Sequence, residues 1–189
     1  MPTFAQFSQA TPLDPAALER YAGRVPAPVL AAWTEHGSGL VGQDGYVRLL
    51  DPDHALRMLD GVIGMPETAV PVFITGMGDL LLWIEPVFHL VRFRWGTIEA
   101  FSADPDRLIA DLQRPEVLDD LLERRPYTEA VARLGIPGID QCFGYVPLLG
   151  LGGSTDSTHL DLGGLWEHLA LIVHLTGIPG PRRSPDDAG

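Results

Sequence analysis

A glycine-rich stretch, GYVPLLGLGGS at residues 144–154, is the first candidate for chemistry in this sequence. Glycines that lie between an apolar run and a later apolar helix are the outline of a phosphate-binding loop. A Walker loop also needs a lysine, and the chain contains none. A dinucleotide-binding fingerprint needs a third glycine and a helix that begins directly after it, whereas Ser154 and a polar loop follow here.

The charge near this stretch also argues against a phosphate site, because Asp156 and Asp161 in the following loop would repel a phosphate. The sequence therefore favours a structural interpretation. We expect a buried strand over residues 145–149 whose exit is too crowded for side chains, which explains the glycines.

Two Asp-x-Asp pairs, Asp51/Asp53 and Asp104/Asp106, have a spacing that is typical of metal ligands. In both pairs a proline follows the first aspartate, as it also does at Asp14. An aspartate before a proline is a helix start, because the carboxylate accepts hydrogen bonds from first-turn amides and proline fits the first helical position. The sequence predicts three capped helices here and no metal site.

Serine and histidine do not combine into a catalytic pattern. Ser38 lies in HGSG, but that motif follows a predicted helix, whereas a nucleophile elbow follows a strand. His168 and His174 lie on the last predicted helix and point about 120° apart, so they cannot bind one metal ion from that helix alone. We expect no catalytic residue, no metal and no cofactor.

Composition limits the class of partner. The 189 residues are 46% hydrophobic, which is enough for a buried core, and 13 basic residues against 25 acidic ones give a net charge of −12. That charge disfavours nucleic acid and attracts basic partners. The single cysteine, Cys142, excludes an internal disulfide, and no signal peptide or membrane-spanning run is evident. We expect a cytoplasmic protein that does not bind membranes.

The order of the elements predicts an α+β fold. Four β-rich runs, VPVFITG, LLLWIEP, FHLVRFRWG and TIEAFS, are joined by short turns. Such connections imply a central antiparallel sheet, a meander of about four to six strands, with helices packed around it. We expect an α+β part over residues 1–110, a C-terminal helical part over 111–178 and a disordered tail over 179–189, with the first two in one compact unit.

The ordered motifs resemble a known pair of domains. The segment VPAPVLAAWTEHGSGLVGQDGYVRLLDPDHAL and its continuation VPVFITGMGDLLLWIE resemble the GAD-related domain. LGIPGIDQCFGYVPLLGLGGS and LGGLWEHLALIVHLTG resemble the small C-terminal domain that accompanies it in immunity proteins of the type VI secretion DNase effector class. The resemblance covers roughly residues 10–178.

This resemblance implies a binding protein and not an enzyme. Members of the family bind a cognate toxin, usually a nuclease, and block it in the producing cell and its kin. A nuclease presents a basic groove to DNA, so an acidic inhibitor could occupy that groove and associate quickly. The candidate contacts are acidic residues in predicted loops: Asp44, Asp79, Glu85, Asp156 and Asp161.

The four tryptophans are expected in the core, and an exposed one would be an interface anchor. Two other functions stay open at this point. One is a small enzyme that binds a nucleotide or sugar phosphate through Gly150–Gly153, and the other is a regulatory interaction module that has no toxin partner.

Overall fold

A computed structural model describes residues 3–181 as an α+β fold with helices around a large sheet, as the sequence predicts. Of the predicted disordered tail at 179–189, residues 182–189 lie outside the described residues, whereas Gly180 and Pro181 form a short strand. The strands are β1 Phe7–Thr11, β2 Ser38–Val41, β3 Val47–Leu49, β4 Val70–Thr75, β5 Leu80–Ile84, β6 Val87–Arg92, β7 Thr97–Ser102, β8 Gln141–Tyr145, β9 Leu160–Gly164 and β10 Gly180–Pro181. The helices are α1 Pro15–Tyr21, α2 Ala27–His36, α3 Pro52–Leu59, α4 Pro105–Asp111, α5 Pro115–Asp120, α6 Arg125–Leu134 and α7 Leu165–Thr176. Within the described range no helix is both long and apolar enough to cross a membrane.

All three Asp-Pro pairs begin helices, as predicted. The carboxylates of Asp14, Asp51 and Asp104 each accept a hydrogen bond from a first-turn amide, at 2.9 to 3.0 Å. Asp53 serves another purpose, because its carboxylate accepts a hydrogen bond from the Tyr21 hydroxyl at 2.7 Å. The Asp-x-Asp spacing is therefore explained by capping and packing.

The main sheet has eight strands in the order β1-β2-β3-β4-β5-β6-β7-β10. The predicted meander corresponds to β4–β7, in which consecutive strands pair antiparallel, with a register shift in the β4–β5 pair and another in the β6–β7 pair. The expected count of four to six strands is too low for two reasons. β1 and β10 are edge strands with few buried residues, and β10 pairs with β7 in parallel only after α4–α7 and the β8–β9 hairpin have intervened.

Helices cover both faces of this sheet, and the central strand β5 shows why. Its residues alternate between two apolar clusters, with Leu81 and Trp83 in one and Leu80 and Leu82 in the other. The first cluster contains buried residues of α1, α2 and α4–α6, and the second contains those of α3 and α7. A strand that is buried on both faces reads as a continuous apolar run, which is what LLLWI is.

The β8–β9 hairpin is joined to the main sheet at its end through a seam of aromatic residues. The Phe143 amide donates to the Gly76 carbonyl at 2.8 Å. The Tyr127 ring lies between Tyr46 and Phe143, with centroid distances of 4.9 and 5.4 Å. A Cβ at Gly76 would lie 2.2 Å from the Tyr127 ring, so glycine is required there. The segments before and after residue 110 therefore share one core cluster.

Candidate functional site

Loops from both parts of the chain meet at one end of the sheet, which we call the turn end. It comprises the β2–β3 loop (42–46), the β4–β5 turn (76–79) and the β6–β7 turn (93–96). These three connections lie together because consecutive strands of an antiparallel meander reverse direction. The β8–β9 hairpin and the loop between α5 and α6 pack against the same end.

A buried ion pair joins two of these turns. Arg94 Nη2 lies 2.7 Å from Asp79 Oδ2, and the two side chains are 4% and 0% exposed. Burial raises the pKa of Asp79 above its usual range, against the opposing attraction of Arg94. Burial alone would lower the pKa of Arg94, but the attraction and hydrogen bond of Asp79, together with Tyr46 and Glu123, outweigh it and the pKa rises. The pair is an internal brace between the β4–β5 and β6–β7 turns.

Glu123 extends this brace to the surface. Its backbone has φ of 53°, which is uncommon for a residue other than glycine. Its carboxylate lies 3.3 Å from both Arg92 Nη1 and Arg94 Nη2, and it accepts a hydrogen bond from Trp95 Nε1 at 3.0 Å. These three contacts hold Glu123 in its unusual conformation, and they fix the orientation of the Trp95 indole.

Asp44 is only partly available at the turn end. Its carboxylate accepts hydrogen bonds from the Tyr46 amide at 3.1 Å and from Arg124 Nη1 at 3.2 Å. Arg124 also donates to Asp119 at 2.8 Å, and this hydrogen bond holds the pKa of Asp119 below its usual range. The Asp44 side chain retains 29% exposure, so one edge of the carboxylate is open to a partner.

The five acidic candidates do not form one patch. Asp79 is fully buried, and the expectation that it contacts a partner from an exposed loop is wrong, since its carboxylate is fully engaged with Arg94. Glu85 is exposed at the opposite end of β5, about 17 Å from the turn end for a strand of five residues. Asp156 and Asp161 are exposed on the loop and strand that follow β8.

Asp156 also has a local role. It accepts hydrogen bonds from the Thr158 amide at 2.8 Å and hydroxyl at 2.7 Å, and these hold its pKa below the usual range. Asp161 lies on β9 opposite Gly144 of β8. Both carboxylates are exposed on this side of the hairpin.

The GYVPLLGLGGS stretch differs in part from its predicted structure. The strand ends at Tyr145, because Pro147 has no amide hydrogen to continue the ladder with β9, and Leu149–Leu151 form a 3₁₀ turn. The predicted buried strand over residues 145–149 is therefore wrong in its position. The crowding predicted for the glycines is present, since a Cβ at Gly153 would lie 2.0 Å from the Pro147 carbonyl oxygen and one at Gly150 would lie 2.6 Å from Thr176.

A cleft of about 550 Å³ lies beside this stretch and is bounded by three walls. The walls are the 3₁₀ turn Phe93–Trp95, the segment 145–150 and the second half of α7. Polar groups in the walls are few. Arg94 is paired with Asp79, and burial lowers the pKa of His168, so the imidazole is neutral at neutral pH. The walls therefore hold neither a free cation for a phosphate nor the start of a helix.

Residues of the types found in hydrolases come together in a separate cleft, but not in a catalytic arrangement. Ser38, His54 and Asp140 all line a space of about 240 Å³. The Ser38 hydroxyl is nearly buried and donates to the Thr11 carbonyl at 3.2 Å, and His54 Nε2 lies 3.4 Å from Asp140 Oδ1. Between residues 3 and 181 no group of three or more His, Cys, Asp or Glu side chains could hold a metal ion.

Two residues that shape the turn end, Arg94 and Glu123, escaped the sequence analysis, and the expectation that Trp95 lies in the core is wrong, since its side chain is 43% exposed on the turn after β6. The meander itself contained a signal for Arg94, because it places alternate turns at the same end of a sheet. An aspartate in the 76–79 turn and an arginine in the 93–96 turn must then be neighbours. Nothing in the sequence indicates that Glu123 reaches them, since its loop packs there only through tertiary structure.

Comparison with known families and structures gives three findings. The GAD-like domain family matches residues 1–94, and the family described as "T6SS immunity protein Tdi1, C-terminal" matches residues 103–176. No curated protein matches the chain. The crystal structure of Atu4351 from Agrobacterium tumefaciens has a TM-score of 0.77 at 13% identity, covering 97% of this chain and 91% of that chain. Identity that low establishes a shared fold alone.

The two family matches follow one another along the chain and leave only a short segment between them. They coincide with the two domains that the sequence motifs resemble. The chain therefore combines a GAD-like domain, over residues 1–94, with a C-terminal domain of the type described for the T6SS immunity protein Tdi1, over residues 103–176.

Proposed function

We propose that this chain is an immunity protein that binds a cognate antibacterial toxin, a nuclease, and neutralises it by occluding the basic groove of the toxin's active site. The observation that carries the proposal is the pair of family matches, one of which is to an immunity protein domain. A family of this kind acts by binding, which favours a function other than catalysis. The chain would act in the cytoplasm of the cell that makes the toxin.

The distribution of charge supports a basic partner. The net charge is −12, and several arginines are used inside the protein. Arg48 is buried and donates to the Ile139 carbonyl at 3.2 Å, Arg94 pairs with Asp79, and Arg124 pairs with Asp44 and Asp119. Carboxylates compensate the charges of Arg94 and Arg124, and burial withdraws Arg48 from the surface, which leaves the exposed carboxylates to set the sign of the surface. A nuclease groove carries the opposite sign, because it must bind phosphates.

We place the acidic contacts at the turn end and on the hairpin next to it. Asp156 and Asp161 are exposed there, and Asp44 presents one edge of its carboxylate. Glu85 remains a proposed contact at the opposite end of the sheet, which an interface of standard size could reach only by extending along β5 and β6. Asp79 has no part in the contact because it is buried.

The alternative of a nucleotide or sugar phosphate site at Gly150–Gly153 receives no support from any specific observation. Gly150 and Gly153 are accounted for by close packing, and α7 begins only at Leu165. A regulatory module without a toxin partner would have the same fold as an immunity protein. The identity of the neighbouring gene and a binding measurement must therefore separate the regulatory module from the immunity protein.

The proposal is tested by expressing the toxin encoded beside this gene, with and without this chain, and by following viability and DNA integrity. We expect full rescue and a one-to-one complex by calorimetry. Cells that die equally in both cases, with no binding to the purified toxin, would contradict the proposal.

A charge reversal tests the acidic contacts. We expect Asp161→Arg to raise the Kd on the order of 10-fold, chiefly through slower association, because rim charges act mainly on the on-rate. The matched control is Glu19→Arg, which makes the same change in net charge at an exposed position of α1. Equal effects from the two variants would indicate that only net charge matters.

A further inference from the structure

Trp95 has an unusual environment for a tryptophan in this protein. Trp33, Trp83 and Trp166 are buried, whereas Trp95 is 43% exposed at the mouth of the cleft beside Gly150. The hydrogen bond from its Nε1 to Glu123 fixes the indole, and Glu123 keeps a left-handed backbone conformation to make it. A large aromatic group that is exposed yet held in one orientation is the form that binding anchors take, because little side-chain entropy is lost on binding.

The other walls of the cleft continue this apolar surface. Leu175 on α7 is 47% exposed and lines the cleft opposite Trp95. Leu171 lies one helical turn earlier on the same face of α7, and Leu151 follows Gly150 at the cleft wall, both of them exposed. The space of about 550 Å³ is large enough for a bulky side chain together with its flanking backbone.

The charge around the cleft indicates which partner would fill it. The segment 136–178, which supplies two of its walls, contains no arginine or lysine. Its carboxylates lie outside the cleft lining: Asp156 and Asp161 are on the adjacent loop and hairpin, Glu167 is near the start of α7, and Asp140 belongs to the separate cleft at His54. Arg94 in the third wall is neutralised by Asp79 and Glu123. A second copy of this chain would bring carboxylates close to carboxylates, which repel one another. A basic segment would meet no uncompensated positive charge.

We propose that the cleft between Trp95 and Leu175 receives an apolar side chain carried on a basic segment of the cognate toxin, and that Trp95 is the anchor of this contact. The inference rests on the proposed function, and it adds an apolar docking point to the acidic contacts described above. Glu123 is then a positioning residue, which acts by holding the indole.

The test compares four full-length variants in binding to a catalytically inactive form of the toxin encoded by the neighbouring gene. Trp95→Ala should raise the Kd on the order of 30-fold, as the loss of a central aromatic anchor does. Leu175→Glu and Leu175→Arg remove the same apolar group but differ in the sign of the added charge, so Leu175→Arg should bind more weakly. Met58→Ser removes an exposed apolar residue from α3, outside the cleft, and should bind like the wild type.

Three outcomes would overturn the inference. In the first, Trp95→Ala and both Leu175 variants bind the toxin as the wild type does. In the second, Leu175→Glu binds as weakly as Leu175→Arg. In the third, the wild type is a dimer in light scattering, and Trp95→Ala abolishes the dimer without changing toxin binding. Melting temperatures of all four variants show whether a loss of binding reflects unfolding. Failure of the proposed function is distinct from these, because the wild type itself would then neither bind nor rescue.

Discussion

Removal of the Asp79 carboxylate should destabilise the fold strongly, although its position after a glycine in a turn is typical of an exposed residue. Asp79 is fully buried, and its partner Arg94 is 4% exposed at 2.7 Å. In Asp79→Ala the guanidinium stays buried, with only the carboxylate of Glu123 at 3.3 Å to compensate its charge. Breaking one side of a buried pair costs about 3–5 kcal/mol, and we expect the lower end, about 3 kcal/mol, because Glu123 remains.

The assay is urea and thermal unfolding followed by circular dichroism. For a chain of this length, a loss of about 3 kcal/mol corresponds to a fall in Tm of about 6–12 °C. The control is Arg114→Ala, which breaks an exposed pair with Asp111 and should cost less than about 1 kcal/mol. The double variant Asp79→Leu/Arg94→Met removes both buried charges and should recover most of the lost stability, since apolar replacements of such pairs are close to neutral.

Two results would refute this reasoning. In the first, Asp79→Ala costs no more stability than Arg114→Ala. The buried Arg94 guanidinium would then lose its Asp79 partner without the expected cost in the free energy of unfolding. If the double variant were as unstable as the single one, the loss would come from packing at the β4–β5 turn and not from an unpaired charge.

Three further predictions concern the glycine-rich stretch, a surface ion pair and the exposed tryptophan. Gly152→Val should destabilise the protein by about 1–3 kcal/mol, because φ of 86° is unfavourable for valine, while Gly163→Ala, which has open space around it, should be nearly neutral by melting temperature. The stability that Asp119 gains from Arg124 should be present above the ordinary carboxyl pKa and lost as the pH falls through its lowered value, so the difference in urea midpoint between wild type and Asp119→Asn should vanish at low pH. Acrylamide should quench chiefly Trp95 in the free protein, and the inactive toxin should remove that quenching; unchanged quenching on binding would show that the indole stays in water.

The local signals in this sequence predict its elements well. Each Asp-Pro pair begins a helix, Gly37 ends α2 with a positive φ of 69°, and the four β-rich runs form the meander β4–β7. These features depend on residues a few positions apart, which a sequence displays directly. The predicted strand over residues 145–149 differs from the observed strand β8, Gln141–Tyr145. The position of β8 is set by its pairing with β9, and the sequence does not indicate that these two segments pair.

The site was less accessible from the sequence, and Asp79 shows why. It follows a glycine in a turn, which is the usual place for an exposed aspartate. Its burial depends on Arg94, Glu123 and the hairpin that closes over the turn end, and none of these is near it in the chain. The exposure of Trp95 could not be predicted from the sequence either. A tryptophan at the end of a buried strand and one on the turn after it have the same sequence pattern.

The aromatic seam at Gly76 has a consequence for how proteins of this kind can diversify. Tyr127 occupies the space that the missing side chain of Gly76 leaves, and the hairpin amide of Phe143 bonds to the same residue. A recombination event that exchanged only the C-terminal segment for that of a relative would have to restore this fit, so we expect exchange of both segments together to be tolerated better. Under the proposed function, we expect changes in partner choice at exposed positions such as Asp161 and Leu175, while the joint beneath them stays fixed.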